Sequence, residues 1–379
     1  MMKKRSFAFL LALCLLMSLL PAASAADEVP APEEAAAPAE SAESIVITDA
    51  DGLRAISANP GGSYALGANI NMEGVEWKPF AFSGQLDGRG YSIYNLTLTV
   101  AGDERFTAVD GNLKQYDTLG VGLFSSMKNA SVSNLGILNA EVKVISDQHC
   151  FAAILCGAME DSTLEQVKVS GRVELTSYAQ MVGVAGMCGF GSGAMTGCSA
   201  DVTLVHIDNL TPARCEQFTG GLLATGYATF DNCFVKIAGY TSCHGYVHDG
   251  GMVGMHFRYF DASNPESVFH TSHNCRTEGF ITFFEDNLDR RAYCKGIIGE
   301  KLNDSLTAEK NTVTGFSANE VKNYSVNLMP EMCEEPDIFI AVVEATSGDA
   351  GYEIHSCMKC GYTYREHFTL WKGDEIYAD

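Results

Sequence analysis

Residues 82–96 read FSGQLDGRGYSIYNL and end in the pair Asn95-Leu96, the first of a series of similar pairs along the chain. Each later pair joins an Asn-like residue to an apolar or small one, and successive pairs lie 31 to 42 residues apart. The later members are Asn134-Leu135, Gln166-Val167, Gly197-Cys198, Asn232-Cys233, Asn274-Cys275 and Asn311-Thr312. A fixed element that returns at such an interval is typical of a repeat protein.

A second element alternates with the first and consists of Gly or Ala followed by two mostly apolar residues. Its members are Gly122-Leu123-Phe124, Ala153-Ile154-Leu155, Gly183-Val184-Ala185, Gly221-Leu222-Leu223, Gly251-Met252-Val253 and Gly296-Ile297-Ile298. The segments between these two anchors are short and rich in β-branched and aromatic residues, as in Phe280-Ile281-Thr282-Phe283. Such segments favour β-strands over helices.

The two anchors together predict an all-β fold, a right-handed parallel β-helix of about seven coils. In such a stack, Asn side chains at equivalent positions hydrogen-bond along the axis at a sharp turn. Gly at the second anchor permits a positive φ or a close backbone approach. The alternative is a β-propeller, whose blades have a similar repeat length, but no blade signature occurs in the sequence.

The ends of the chain differ in composition from the repeats. Lys3, Lys4 and Arg5 precede a short apolar stretch and Ala23-Ser24-Ala25, a pattern that indicates a secretory signal peptide. We therefore expect a signal peptide over 1–26, a disordered acidic Pro/Ala linker over 27–44, a parallel β-helix over 45–328 and a small C-terminal module over 329–379. The expected location is secreted or extracellular in a bacterium, with association with the cell surface as the alternative.

Charge and composition restrict the classes of molecule that the protein is expected to bind. The formal net charge is −22 and the hydrophobic content is 46%. An acidic surface repels nucleic acid, so we expect no nucleic-acid partner, and no membrane insertion after removal of the signal peptide. The expected partner is an extracellular glycan or protein.

The opening of the repeat region resembles a known family. Residues 70–74 (INMEG), 77–80 (WKPF) and 82–96 resemble the entry to GLUG-type β-helix repeats of secreted bacterial surface proteins, and Gly122-Leu123-Phe124 and Asn134-Leu135-Gly136 fit the same pattern. The resemblance covers roughly residues 45 to 328. It implies a parallel β-helix outside the cell, often in adhesin-like proteins, and no single activity.

The C-terminal module carries a candidate metal site. Cys357 and Cys360 are spaced as zinc ligands on a tight turn, with Cys333 as a third ligand and His355 or His367 as a fourth. A disulfide or free thiols explain the same residues equally well. No cofactor other than this possible zinc ion is expected.

Cysteines also occur within the repeats. Cys198, Cys233 and Cys275 occupy one repeat position and should stack in the core, either as free thiols or as disulfides between adjacent coils. Pairing of the other repeat cysteines cannot be read from their positions.

The candidate ligand-binding residues lie where the repeat is longest, between Gly251 and Asn274. Arg258, Tyr259, Phe260 and Asp261 could stack on and hydrogen-bond a sugar or peptide, since recognition residues often lie on long loops of a rigid scaffold. A loop that merely covers a coil edge is the alternative. Nearby histidines, including His248 next to Asp249, are interpreted as surface residues on loops.

No catalytic residue can be assigned from this sequence. We therefore expect a binding or adhesion module more readily than an enzyme. The alternative is a carbohydrate-active enzyme, a polysaccharide lyase or glycoside hydrolase, that uses a groove along the β-helix.

Overall fold

The described part of the chain is a stack of parallel coils. The computed structural model describes residues 44–109, 114–208, 216–243, 246–256, 270–285 and short segments after residue 291. Three sheets run along the stack and pair in parallel almost throughout, so the expected parallel β-helix is confirmed.

The strands of the stack, numbered in chain order, divide among three sheets. The 13-stranded A sheet contains β1 (Ile45–Ile47), β2 (Ser63–Leu66), β4 (Phe80–Phe82), β5 (Gln85–Asp87), β10 (Phe124–Lys128), β11 (Ser131–Ser133), β14 (Cys156–Glu165), β17 (Cys188–Thr196), β20 (Leu223–Asp231), β23 (Val253–His256), β24 (His270–His273), β27 (Ile298–Lys301) and β28 (Thr307–Glu309). The 10-stranded B sheet contains β3 (Ile70–Asn71), β6 (Ser92–Tyr94), β7 (Thr97–Leu98), β12 (Gly136–Ser146), β15 (Lys168–Ser177), β18 (Ser199–Asp208), β21 (Phe234–Cys243), β25 (Arg276–Glu285), β29 (Thr312–Val313) and β30 (Ser317–Lys322). The 7-stranded C sheet contains β8 (Arg105–Val109), β9 (Gln115–Val121), β13 (Cys150–Ala152), β16 (Met181–Ala185), β19 (Glu216–Gly220), β22 (Tyr246–Gly250) and β26 (Ala292–Lys295).

Each coil passes through the C sheet, then the A sheet, then the B sheet. Strands β13, β14 and β15 form one such coil, and β16, β17 and β18 form the next, directly stacked on it. Side chains from the three sheets form a large apolar core, and a second, smaller apolar cluster contains Phe151, Phe218 and Met255. The only antiparallel pair within these three sheets, among the described strands, is β8 with β9.

The Asn-like anchors from Asn134 onward form the turn from the A sheet to the B sheet. The assignment of Asn95 to the same position is wrong, because Asn95 lies between β6 and β7 of the B sheet and aligns with Asn139. Asn95, Asn134, Gln166, Gly197, Asn232 and Asn274 all have φ between 50° and 63°. This left-handed conformation is open to Gly and tolerated by Asn, which explains the residue types at the anchor. Side-chain stacking occurs where two amides are adjacent, since Asn274 Nδ2 donates to Asn232 Oδ1 at 2.5 Å.

The residue after each anchor points into the core. Leu135, Val167, Cys198, Cys233 and Cys275 are each at most 2% exposed and occupy equivalent positions in successive coils. Leu96 is also buried, but it lies in a different column, next to the aligned pair Thr97 and Glu141. The sequence prediction that the three cysteines stack in the core is therefore confirmed, and all three are free thiols here.

The Gly-like anchors form the turn from the C sheet to the A sheet and serve close packing, except for Gly183. Gly183 lies within β16, and Gly186 occupies the turn of that coil instead. A Cβ atom on Gly122 would lie 2.6 Å from Cys156 Cα in the next coil, and one on Gly221 would lie 2.4 Å from Gly251 O. Neither glycine has a positive φ. Of the two roles expected for this anchor, the structure shows close approach.

The remaining elements lie at the two ends of the sequence. Helix α1 (Ala50–Ala55) and a 3-10 turn (Ile56–Ala58) follow β1, with Asp49 as N-cap. A separate antiparallel sheet contains β31 (Ile338–Val343), β32 (Gly351–Cys357), β33 (Thr363–Lys372) and β34 (Glu375–Tyr377). Among the described residues, no helix is long and apolar enough to span a membrane.

Replacement of Gly197 tests the role of the left-handed anchor. Gly197 has φ 63°, and a Cβ there would meet no atom closer than 3.5 Å, so only backbone strain opposes a larger residue. We expect Gly197→Ala to lower the free energy of unfolding by about 1–2 kcal/mol and Gly197→Asn to lower it less. Urea unfolding of both variants measures this; a larger loss for Asn than for Ala would contradict the role of the backbone.

Candidate functional site

The sequence-predicted site residues lie mostly outside the described residues. This applies to Arg258, Tyr259, Phe260 and Asp261, which fall between β23 and β24, and to Cys333 and Cys360. Cys357 is the last residue of β32, and His367 lies within β33, but their side chains are outside the described part. Within the described side chains, no group of three or more His, Cys, Asp or Glu could hold a metal ion.

A groove of about 910 Å³ opens beside the first coils. Its lining combines charged, aromatic and hydroxyl side chains with backbone from three segments, residues 54–57, 74–80 and 97–104. The lining residues are Arg54, Ser57, Gly74, Val75, Glu76, Trp77, Lys78, Pro79, Phe80, Thr97, Thr99, Val100, Asp103 and Glu104. A volume of this size suits a small ligand or a segment of an extended chain.

Trp77 fixes the central wall of the groove. Its indole Nε1 donates to Leu123 O at 2.9 Å, and the side chain is 5% exposed. The ring packs 5.8 Å from Phe80, which in turn packs edge-on against Phe124 of the A sheet. The segment between β3 and β4 is therefore tied to the core although it contains no strand of its own.

Ion pairs position the cationic side chains of the groove. Arg54 pairs with Asp51 at 2.8 Å and also donates to Glu76 O at 3.2 Å. Lys78 pairs with Asp103 at 2.5 Å, and this contact joins the walls formed by residues 74–80 and 97–104. Exposed pairs of this kind contribute little to stability, but they keep cations and carboxylates at the groove surface, where a ligand can contact them.

A second site lies on the outer side of the A sheet, where β20 and β24 end. His273 Nδ1 lies 2.7 Å from Asp231 Oδ1, and both side chains are nearly half exposed. They belong to a pocket of about 330 Å³ that also contains Thr196, Thr229 and Ser272. A carboxylate at this distance orients the imidazole and leaves its other nitrogen for proton transfer or ligand binding.

The third feature is a polar cluster inside the solenoid. His206 of β18, Gln217 and Thr219 of β19, Thr241 of β21 and Asp249 of β22 are all fully buried. Equivalent inward positions in earlier coils carry apolar residues, since Leu175 aligns with His206 and Val184 aligns with Thr219. The polar cluster thus replaces a stretch of the hydrophobic core across three successive coils.

Hydrogen bonds satisfy only part of this cluster. Thr241 Oγ1 donates to Asp249 Oδ2 at 2.6 Å, and His206 Nδ1 lies 3.4 Å from Thr219 Oγ1. Among the described residues, Asp249 Oδ1, Gln217 Oε1 and His206 Nε2 have no hydrogen-bond partner. Buried polar atoms of this kind cost free energy, so the cluster destabilises the fold relative to an apolar core.

Burial shifts both titratable groups of the cluster toward their neutral forms. Burial raises the pKa of Asp249 to about 7, although hydrogen bonds from Thr241 and Thr219 lower it in part. It lowers the pKa of His206 to about 3. Neutral groups avoid the large cost of an unpaired buried charge.

His248, adjacent to Asp249, is also buried. Its side chain is 6% exposed, its Nε2 lies 2.9 Å from Glu216 Oε2, and its ring stacks on Phe218. The interpretation of His248 as a surface residue on a loop is therefore wrong: it lies within β22. The alternation of a strand was the available signal, because Tyr246-Val247-His248-Asp249-Gly250 leads directly into the Gly251 anchor.

Asp249→Asn tests the buried carboxyl group. Because burial raises the pKa of Asp249 above its ordinary value of 3.8, the wild-type fold is most stable below pH 3.8 and loses stability as pH rises to about 7. Asparagine cannot ionise, so the stability of the variant relative to wild type should increase by about 4 kcal/mol between pH 4 and pH 8. Unfolding midpoints across this range measure the difference; a constant difference would contradict the shift.

His206→Leu should show the opposite dependence. Burial lowers the pKa of His206 below its ordinary value of 6.5, so the contribution of the neutral imidazole to stability is complete above pH 6.5 and is lost as pH falls toward 3. Leucine matches the apolar residue at this position in the preceding coil. The variant should gain stability relative to wild type as pH falls from 7 to 4, and the same unfolding series serves as the measurement.

Comparison with known proteins gives a distant relationship. No protein-family model matches the chain. The chain is similar to the immunoglobulin A1 protease of Streptococcus pneumoniae serotype 4, with 23% identity over 287 residues. The match covers 71% of this chain but only 13% of that protein, so it relates the chain to a small part of a much longer relative.

Two solved structures resemble the chain in outline. One is a Bacteroides ovatus protein provisionally assigned as an immunoglobulin A1 protease, with 14% identity, a TM-score of 0.49, and coverage of 74% of this chain and 78% of that one. The other is an IgA1 protease with 13% identity, a TM-score of 0.38, and coverage of 84% and 34% respectively.

Proposed function

We propose that the chain is a binding module for an extracellular glycan or protein, and that the groove of residues 54–57, 74–80 and 97–104 is its binding surface. The observation that carries this proposal is the groove itself, about 910 Å³ in volume and lined by charged, hydroxyl and aromatic residues. Its wall is fixed to the core through Trp77, so little conformational entropy is lost when a ligand binds.

The chemistry of the groove favours a polar, uncharged or mixed-charge ligand. Lys78 and Asp103 already neutralise each other, and Arg54 is paired with Asp51. A strongly anionic ligand would compete with these carboxylates, and the chain as a whole carries a net charge of −22. Sugar hydroxyl groups and peptide backbone instead hydrogen-bond both partners of each ion pair.

The distant relative supplies a specific probe. The pneumococcal protein is named for protease action on immunoglobulin A1, which is an extracellular glycoprotein target. A solenoid that is similar to a part of such a protein fits recognition of the target. Immunoglobulin A1 and a panel of extracellular glycans are therefore the first ligands to measure.

Lys78→Ala tests the groove. We expect the variant to weaken binding of the best ligand in that panel about tenfold, since loss of one charged hydrogen-bonding group costs about 1.5 kcal/mol or more. Lys128→Ala is the matched control, because Lys128 also forms an exposed ion pair and both lysine side chains are 62% exposed. Equal affinities for the two variants in surface plasmon resonance would place the ligand elsewhere.

A second candidate function is catalysis on an extracellular polysaccharide. The observation that favours it is the contact between His273 and Asp231, which lies in a pocket beside two threonine hydroxyls and Ser272. An imidazole held by a carboxylate is suited to general acid–base catalysis. A histidine base of this kind fits either a lyase or a hydrolase.

His273→Ala distinguishes this candidate from binding alone. If the protein releases products from a polysaccharide, the variant should lower the rate about 100-fold or more, and Lys128→Ala should leave it unchanged. Product release is followed by chromatography of reducing or unsaturated ends. A rate that His273→Ala leaves unchanged would exclude this pocket, and no turnover on any polysaccharide would leave the binding module as the function.

A further inference from the structure

Buried cysteines of the solenoid form two columns: one contains Cys198, Cys233 and Cys275, whose thiols contact one another and the backbone, and the other contains Cys156 and Cys188. In the stack of Cys198, Cys233 and Cys275, each thiol lies near a backbone carbonyl oxygen. Cys198 Sγ is 3.5 Å from Leu164 O, and Cys233 Sγ is 3.3 Å from Met195 O. These thiols donate to the backbone, as a small hydrophobic residue with a weak donor does.

Cys156 and Cys188 form a column of only two cysteines. They are the first residues of β14 and β17, and they are in register across adjacent coils. Their Sγ atoms are 3.1 Å apart, and both residues are fully buried. Cys188 Sγ also lies 4.0 Å from Met159 Sδ, so sulfur atoms surround this pair.

The backbone places these two residues within reach of a covalent bond. Neighbouring strands in a sheet are about 4.8 Å apart, so in-register Cα atoms have nearly this separation. Disulfides occur at Cα separations of about 4.4–6.8 Å. The sulfur atoms are already in contact at 3.1 Å, so the spacing of the two strands is compatible with a bond between them.

We propose that Cys156 and Cys188 form a disulfide that links two adjacent coils in the exported protein. In the reaction, the two thiols lose two protons and two electrons, and one sulfur–sulfur bond forms. A disulfide of a small molecule or of a thiol oxidoreductase accepts the two electrons and two protons and is reduced to two thiols. The proposal rests on the expected export of the chain, because such oxidants act outside the cytoplasm.

Burial determines when the bond forms. It raises the pKa of the Cys188 thiol well above its ordinary value, so the reactive thiolate is rare once the coils are stacked. Exchange therefore takes place before β17 has fully packed on β14. After packing, the same burial protects the bond from reductants.

The stack of three cysteines provides an internal contrast. Three thiols in one column leave at least one unpaired, whatever bonds form among them. Cys156 and Cys188 form an isolated pair instead, between Phe124 in the preceding coil and Leu223 in the next. The pair alone can be fully oxidised within its column.

Counting of labelled thiols tests the proposal. The full chain is exported through an oxidising compartment and purified without reductant. It is then denatured in guanidinium with excess iodoacetamide, and the mass of the intact protein is measured by mass spectrometry. Cys156→Ala should gain one label relative to wild type, because Cys188 is released. Cys188→Ala should likewise gain one, and the double variant should match wild type.

Cys150→Ala is the matched control, because Cys150 is also fully buried in the solenoid. It should lose one label. After prior reduction, every single variant should lose one label, which shows that the assay counts all thiols. Loss of one label by Cys156→Ala or Cys188→Ala without reduction would overturn the proposal, and so would a gain by only one of the two.

Discussion

Each coil of the solenoid depends on its neighbours for its backbone hydrogen bonds. Even the turns obey this constraint: Gln166 N donates to Thr196 O and Gly197 N donates to Asp231 O, both at 2.8 Å. A turn that is bonded to the next turn cannot shift without breaking a column of bonds. The residue at each A-to-B turn adopts a left-handed backbone conformation that costs free energy, and this cost is low for Asn and Gly.

Because hydrogen bonds hold the strands in register, side chains at the same inward position of successive coils lie above one another in a column. Residues that are far apart in sequence become direct neighbours, and the character of a column can change along the stack. The column after the Asn anchor changes from leucine and valine to cysteine. The column that contains Leu175 changes to His206 and Thr241, and there the core becomes polar. In this region the solenoid exchanges stability for buried polar groups.

The outer surface carries the candidate sites, because the inner columns are closed to solvent. At the first coils, Trp77 ties an irregular segment to the scaffold, and Lys78 and Asp103 join two walls of a groove. Further along the stack, Asp231 and His273 are neighbours on adjacent strands although 42 residues separate them in sequence. Both sites use a rigid framework to hold side chains that the sequence presents separately.

The sequence by itself determined the repeat and the strand character, and it located most of the turns, because anchor residues reflect local backbone conformation. It misplaced the turns at Asn95 and Gly183, which lie within the sheets. Asn134, Gln166 and Gly197 mark the left-handed turn, and Cys198, Cys233 and Cys275 could be aligned by counting from it. The tertiary structure alone decided which side chains meet across coils and which way they point. His248 and Asp249 became buried strand residues, and Cys156 came into register with Cys188, because packing and register involve residues distant in the chain. No local pattern encodes those contacts, since they exist only once the coils are stacked.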